Sequence, residues 1–438
     1  MNYRSNLKIP WALIIIIFLI NRSADAQSIW KQDHLLGDWN GVRTSLSDGG
    51  IDFSVIYTGD VISNLSGGLS RQTVYLDNID LTAAFNTEKL FNWQGGSIFI
   101  YGLGNQGKNP SDYIGDIQTA DNIAAFNTWK VYEAWVQQIL FNDHLSVLAG
   151  LYNLNSEFQD LESSGLFLNS SHGIGIAFSQ SGSNGPSIFP TTSLALRLKF
   201  ELEKSIYIQT ALFNGTAGDP ADPYGTKIIF PQHDGILSAT ELQYYINTSG
   251  DNDEEEYRES RNRLGRFGES DYKGKFAFGY WIYSAKFPEI ESINSANKLI
   301  AGNMGFYFIG EYKISGQGGV TDKGLTVFSR IGFANSKINR FVSYTGIGAV
   351  YTGLIPGMDD DQLGIALAGA HNGEQYIAMM KNANQPSAES EWNIELSYLC
   401  NLAPWLSLQP DMQYVINPDT NPLIKNAFVA DIRAAIVF

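Results

Sequence analysis

From Leu194 to Leu202 the chain alternates without a break. Leu194, Leu196, Leu198, Phe200 and Leu202 take one face, while Arg197, Lys199 and Glu201 take the other. Successive side chains of an extended strand point to opposite sides, so this is a strand with one apolar and one charged face. Leu406–Ile416 repeats the pattern, setting Ser407, Gln409, Asp411 and Gln413 against Leu406, Leu408, Met412 and Tyr414. So does Ala427–Phe438, where Asp431 and Arg433 oppose Phe428, Ala430, Ile432, Ala434, Ile436 and Phe438. Two folds accommodate such strands: a soluble sheet with its polar face in water, or a membrane barrel with its polar face in a wet lumen.

The other end of the chain favours the barrel. Arg4 and Lys8 precede the apolar run from Ile9 to Ile20, and Ala24-Asp25-Ala26 offers small residues at a cleavage position. That pattern predicts a secretory signal peptide over residues 1–26, too short in its apolar part to span a bilayer as a helix. No later apolar run approaches a spanning helix, so any crossing is by strands. With 43 Gly, 22 Tyr, 25 Phe and 9 Trp, the composition suits tight turns and interfacial aromatic girdles.

Period-two segments bounded by turn residues fall near 51–63, 73–86, 95–104, 130–140, 145–154, 192–202, 206–214, 236–245, 273–287, 300–313, 326–334, 343–353, 364–371, 389–401, 406–416 and 426–438. The expected fold is all-β: a transmembrane antiparallel β-barrel of about 16 strands, an even number as single-chain bacterial barrels require. The barrel unit would occupy 27–438, with about 27–48 as its short periplasmic N-terminal segment. Turns such as Glu203–Ser205, Phe141–Asp143 and Leu402–Pro404 are short, whereas 105–129, 155–191, 215–235 and 372–388 are long and polar. Short turns in the periplasm and long loops outside the cell are the expected asymmetry. The acidic stretch from Ser249 to Tyr272 breaks it, because strand parity puts this long segment on the short-turn rim: either the parity is off by one there or the stretch is a solvated periplasmic loop.

The formal net charge of −16 and the absence of a basic patch argue against nucleic-acid binding. Cys400 is the single cysteine and forms no internal disulfide. His34, His144, His172, His233 and His371 are scattered, with no metal-protease, nucleophile-elbow, phosphate-loop or zinc spacing. No enzyme, cofactor or metal is expected. Ser171 beside His172 is a neighbour pair in sequence, which is not the spatial arrangement a catalytic triad needs.

Three long motifs carry a family resemblance. Gly37-Asp-Trp-Asn-Gly-Val-Arg43 with Gly49–Phe53, the stretch Leu166–Gly175 continued by Phe178–Thr192, and Trp405–Pro418 resemble the carbohydrate-selective, OprB-type porins of Gram-negative outer membranes. The resemblance runs from about residue 34 onward. It implies a 16-stranded barrel through which mono- or oligosaccharides diffuse, with one loop folded inward as a constriction, for which 155–191 is the natural candidate. His172 stands where that family more often has an aromatic, and the acidic insert around 251–271 lies outside its pattern.

A sugar channel needs polar groups that exchange with hydroxyl-bound water and hold the solute weakly. Arg197, Lys199, Asp411, Gln413, Asp431 and Arg433 are the wall candidates, and Asn169, Ser170, Ser171 and Gln180 the loop candidates. A general diffusion porin for small ions and solutes stays open as an alternative, as does a surface-binding barrel. The expected partners are a carbohydrate solute and outer-membrane lipid, and monomer and homotrimer are both compatible with the sequence.

Overall fold

A computed structural model describes residues 29–229, 235–247, 272–292 and 298–438. The 1–26 segment and the acidic residues 251–271 lie outside the described residues. Sixteen strands close into one antiparallel barrel. In chain order they are β1 (Ile51–Gly68), β2 (Gln72–Asn86), β3 (Gly96–Gly107), β4 (Thr128–Leu140), β5 (Leu145–Tyr152), β6 (Ser193–Glu203), β7 (Ile206–Asn214), β8 (Ile236–Asn247), β9 (Tyr272–Tyr283), β10 (Met304–Ser315), β11 (Gly324–Ala334), β12 (Phe341–Thr352), β13 (Gln362–Asn372), β14 (Ser390–Ala403), β15 (Leu406–Ile416) and β16 (Lys425–Val437). Each pairs with its sequence neighbours, and β16 closes on β1 with Asp60 opposite Arg433 and Tyr57 opposite Ile436. Closure leaves no unpaired edge, which a sheet in lipid requires. No helix among the described residues is long and apolar enough to cross a membrane, which leaves crossing by strands unaffected.

The alternation read from the sequence sets the inside and outside of this wall. Leu196, Leu198 and Phe200 are exposed outward, while Arg197 and Lys199 between them are buried. Ile432 and Met412 likewise face out beside buried Asp431 and Asp411. A slip of one residue would turn these charges toward lipid, at a cost of about 2–4 kcal/mol for a Lys or Arg at the midplane.

Six described connections, 87–95, 141–144, 204–205, 316–323, 353–361 and 404–405, share one rim with residues 29–50. The strand ends Asn247 and Tyr272, between which the acidic stretch runs, are on this rim, and the stretch itself lies outside the described residues. On this rim the Gly37–Arg43 motif caps the last strand. Asp38 Oδ1 accepts from the Thr44 amide and hydroxyl at 2.8 and 2.9 Å, the Arg43 guanidinium lies 4.5 Å from the Trp39 ring, and its Nη2 donates to the Phe438 carbonyl at 2.7 Å. The opposite rim carries the long connections 108–127, 153–192 and 373–389, the described parts of 215–235 and 284–303, and three shorter ones.

Two of these long connections do not stay outside. Residues 153–192 fold into the barrel, as expected, and so do residues 108–127, which the sequence reading had placed among the external loops. The correction has a packing reason. Ile114 and Ala120 bury against Ile62, Val74, Leu76, Val415 and Val429 on the inner wall, an apolar patch that an external loop would have left to water.

Candidate functional site: the loop-filled lumen

Small inward residues on one side of the barrel make room for the 153–192 loop. β13 turns Gly364, Ala366, Ala368 and Ala370 inward, and an added Cβ at Gly364 would lie 2.6 Å from Leu166 and 2.7 Å from Phe167. Leu154, Phe158, Leu161, Phe167 and Phe178 of the loop bury against Phe213, Trp281, Tyr307 and Phe328 of the wall. The Phe178 and Trp281 rings stack at 4.8 Å. Burial of each such side chain stabilises the inward position by about 1.5–3 kcal/mol.

A loop that leaves the sheet ladder must satisfy its backbone amides elsewhere. Wall carboxylates do this. Glu241 accepts from the Gln159 amide at 2.9 Å and from the Tyr307 hydroxyl at 2.6 Å. Glu311 accepts from the amides of Glu162 and Ser163 at 3.0 and 2.8 Å, from the Ser163 hydroxyl at 2.6 Å and from Tyr272 at 2.5 Å. Glu395 takes the Leu168 and Asn169 amides, and Arg330 returns bonds to the Gly173 carbonyl and Ser164 hydroxyl, both 2.6 Å. Most of these bonds go to the loop backbone, so they fix its path rather than particular side chains.

The 108–127 loop is held in the same way. Glu391 accepts from the Ile117 and Gln118 amides, and Gln413 Nε2 donates to the Ala120 carbonyl at 2.7 Å. Asp121 joins Arg433, whose Nη2 lies 3.2 Å from it, while Asp60 takes both Nε and Nη2 of the same guanidinium at 3.0 and 2.7 Å. Full burial and then the nearby Asp60 push the Asp121 carboxyl well above the usual range, against the pull of Arg433.

The residues selected from sequence fall into two groups. Asp411, Gln413, Asp431 and Arg433 stand on adjacent strands β15 and β16, where Gln413, Asp431 and Arg433 meet the 108–127 loop and Asp411 accepts from Gln413. Arg197 and Lys199 stand on β6, where both reach Glu157 of the other loop, at 2.8 and 3.6 Å. Burial pushes Glu157 up, but Arg197 and Lys199 together outweigh it and hold its carboxyl below the usual value. Arg197 also donates to Ser146 Oγ and Gln137 Oε1, and is only 1% exposed, so the loop covers it. Among the loop candidates, Asn169 and Ser171 are buried, with Asn169 Oδ1 accepting from the Ser171 amide, while Ser170 is half-buried. Gln180 is exposed and ties the two loops together through the Ile117 carbonyl at 3.2 Å.

His172 sits between Phe167 and Phe328, with ring centroids 5.0 and 5.9 Å away. It occupies the apolar position an aromatic would, and burial, then Arg330, pushes it down to about 3. Neither ring nitrogen hydrogen-bonds to a described residue, Ser171 included, although Nε2 lies 3.7 Å from Glu395 Oε2. The sequence reading passed over Glu241, Glu311, Glu391, Glu395 and Arg330, although period two alone puts Glu395 on the inner face with Asn393 and Ser397.

A barrel whose bore is narrowed by inward loops tied to polar wall residues is the architecture of a diffusion channel. A family model described as carbohydrate-selective porin, OprB family, matches residues 70–438. The chain belongs to this family. Porin B of Pseudomonas aeruginosa is 24% identical over 439 residues, covering 92% of this chain and 91% of the relative. The putative porin QuiX of Acinetobacter baylyi is 20% identical over 449 residues, covering 94% and 95%. Among solved structures, the high-pH form of Pseudomonas putida OprB superposes with a TM-score of 0.79 at 21% identity, covering 93% of this chain and 99% of that one. The low-pH form gives 0.55 at 20% identity with the same coverage. At these identities the structural likeness is one of fold. As an OprB-family porin the chain is a channel for carbohydrates, and its family and barrel place it in the outer membrane.

Proposed function

We propose that the protein lets mono- or oligosaccharides diffuse passively into the periplasm past the constriction made by residues 108–127 and 153–192, with no catalytic step. The observation that carries this reading is the pair of loops gripped by wall carboxylates. It gives a narrowed, rigid passage whose polar groups are already engaged with one another. Such groups can exchange single hydrogen bonds with a sugar hydroxyl while holding it weakly, as rapid flux requires. In this reading Lys199, Asp411, Gln413, Asp431 and Arg433 set the field along the wall, Arg197 secures Glu157, and Ser170 and Gln180 offer polar atoms from the loop. Asn169 and Ser171 shape the loop from within.

Export would use removal of residues 1–26, with 27–48 left on the periplasmic rim. The outer face of β1 and β2 carries a carboxylate, Asp77, beside the Tyr57 and Tyr75 hydroxyls, which favours a protein neighbour there, as a homotrimer would supply, without setting the number of copies. A carboxylate is costly against lipid and cheaper against a protein neighbour. Liposome swelling tests the transport reading. Vesicles carrying the purified protein should swell in isotonic glucose and more slowly in maltooligosaccharides of growing length. Swelling no faster than in protein-free vesicles would defeat it.

A further inference from the structure

We propose that Asp60, Asp121 and Asp431 form a site for one divalent cation of the calcium class, which fastens the 108–127 loop to the barrel wall. The three residues come from β1, from the loop and from β16. One carboxylate oxygen of each lies within 4.8 Å of the others. Oxygens that share a calcium ion at about 2.4 Å can be no more than about 5 Å apart, so the spacing fits a common ion. All three side chains are buried, Asp60 and Asp121 completely and Asp431 to 3% exposure.

A second observation points to a ligand. Neither oxygen of Asp431 accepts a hydrogen bond from any described residue, and Asp121 Oδ2 accepts none. Asp411, the cross-strand partner of Asp431, is 2% exposed and has its Oδ2 unpartnered as well. Buried polar groups are normally satisfied, and a buried carboxylate left alone is costly. Arg433 is the one cation bonded to this group among the described residues. Its Nε and Nη2 are committed to Asp60, Asp121 and the Asn122 side chain, the last at 2.8 Å. Four carboxylates therefore face one guanidinium. The unspent acceptors are all hard oxygens, with no histidine or thiolate among them, which selects calcium or magnesium over zinc or copper. Calcium tolerates ligands of irregular arrangement from separate elements better than magnesium does.

No local motif marks such a site, because its ligands are 61 and 310 residues apart and only barrel closure brings β16 beside β1. The site goes beyond the transport reading and does not depend on which solute passes. Its role is mechanical: the ion would add a tether to a loop otherwise held by Glu391, Gln413 and Arg433.

The test uses the full mature chain in detergent micelles, stripped with a chelator and then titrated with calcium chloride. Bound metal is counted by atomic emission, and amide exchange of residues 116–124 is followed by mass spectrometry. The wild type should hold one calcium per chain, and chelation should speed exchange in this segment at least tenfold. Asp431→Asn and Asp121→Asn should each lose the ion and show the fast exchange with or without calcium. Heat-modifiable gel migration reports whether each variant is a folded barrel. If Asp431→Asn does not fold, Asp121→Asn, in the loop, carries the comparison. No stoichiometric calcium or magnesium in the wild type would overturn the proposal. So would calcium retained equally by both variants, or a protonated-carboxyl infrared band that Asp431→Asn removes from the calcium-loaded protein.

Discussion

Replacing Glu311 by alanine should loosen the constriction without opening the barrel wall. Glu311 is 1% exposed and accepts four hydrogen bonds, two from loop amides, one from the Ser163 hydroxyl and one from Tyr272. A buried donor stripped of its acceptor costs about 1–3 kcal/mol. Water in the lumen can reach some of the donors once the side chain is gone, so the loss in anchoring is on the order of 3 kcal/mol rather than the full sum. At about 1.4 kcal/mol per tenfold, the detached state of the loop becomes roughly a hundredfold more populated. The backbone ladder that pairs Glu311 with β9 and β11 does not use its side chain, and the one side-chain bond lost to β9 is that from the Tyr272 hydroxyl. In planar bilayers the variant should show frequent bursts of higher conductance and greater current noise than the wild type, with unchanged heat-modifiable migration. Glu311→Gln keeps the shape but offers one acceptor oxygen, and should fall between the two. Traces that superpose on the wild type would refute the view that wall carboxylates hold the loop in place.

Three further outcomes follow from the same geometry. Leu196→Arg turns a charge toward lipid at a cost of about 2–4 kcal/mol and should impair membrane assembly, whereas Arg197→Ala should assemble normally and change ion preference or flux by freeing Glu157; comparing folded fractions on gels checks both. Folded His172 stays neutral down to about 3, while the unfolded chain takes up the proton near 6.5, so acidification below about pH 6.5 should favour unfolding by about 1.4 kcal/mol per unit from this residue. His172→Phe, which packs between the same two rings, should flatten the acid side of the melting-temperature profile between pH 7.5 and 4.5. Gly364→Val should push Leu166 and Phe167 off the wall, at about 1–3 kcal/mol of overpacking, and lower the melting temperature while altering conductance.

The wall of this protein is legible in its sequence because period two is a local property. Leu194–Leu202 declares its faces residue by residue, and all sixteen strands fall where alternation and turn residues put them. The inward position of 153–192 followed from family resemblance rather than from the residues. The inward position of 108–127 was not anticipated, since a loop rich in Asn, Asp and Gly has no periodicity to say which way it folds. Its direction is decided by long-range partners such as Glu391, Gln413 and Arg433, more than 260 residues away. Arg197 shows the same limit. Its face was evident, but that Glu157 would cover it depends on the loop, so a residue read as open to the channel is sealed beneath it.

Single-channel conductance of the refolded protein, titrated with glucose and a maltooligosaccharide series, tests the central claim most directly. Carbohydrate passage through the loop-narrowed bore predicts concentration-dependent block of the ion current, with a depth and dwell time that change with chain length. A steady current at every sugar concentration, with unimpeded ion flow, would contradict it and identify a general diffusion pore.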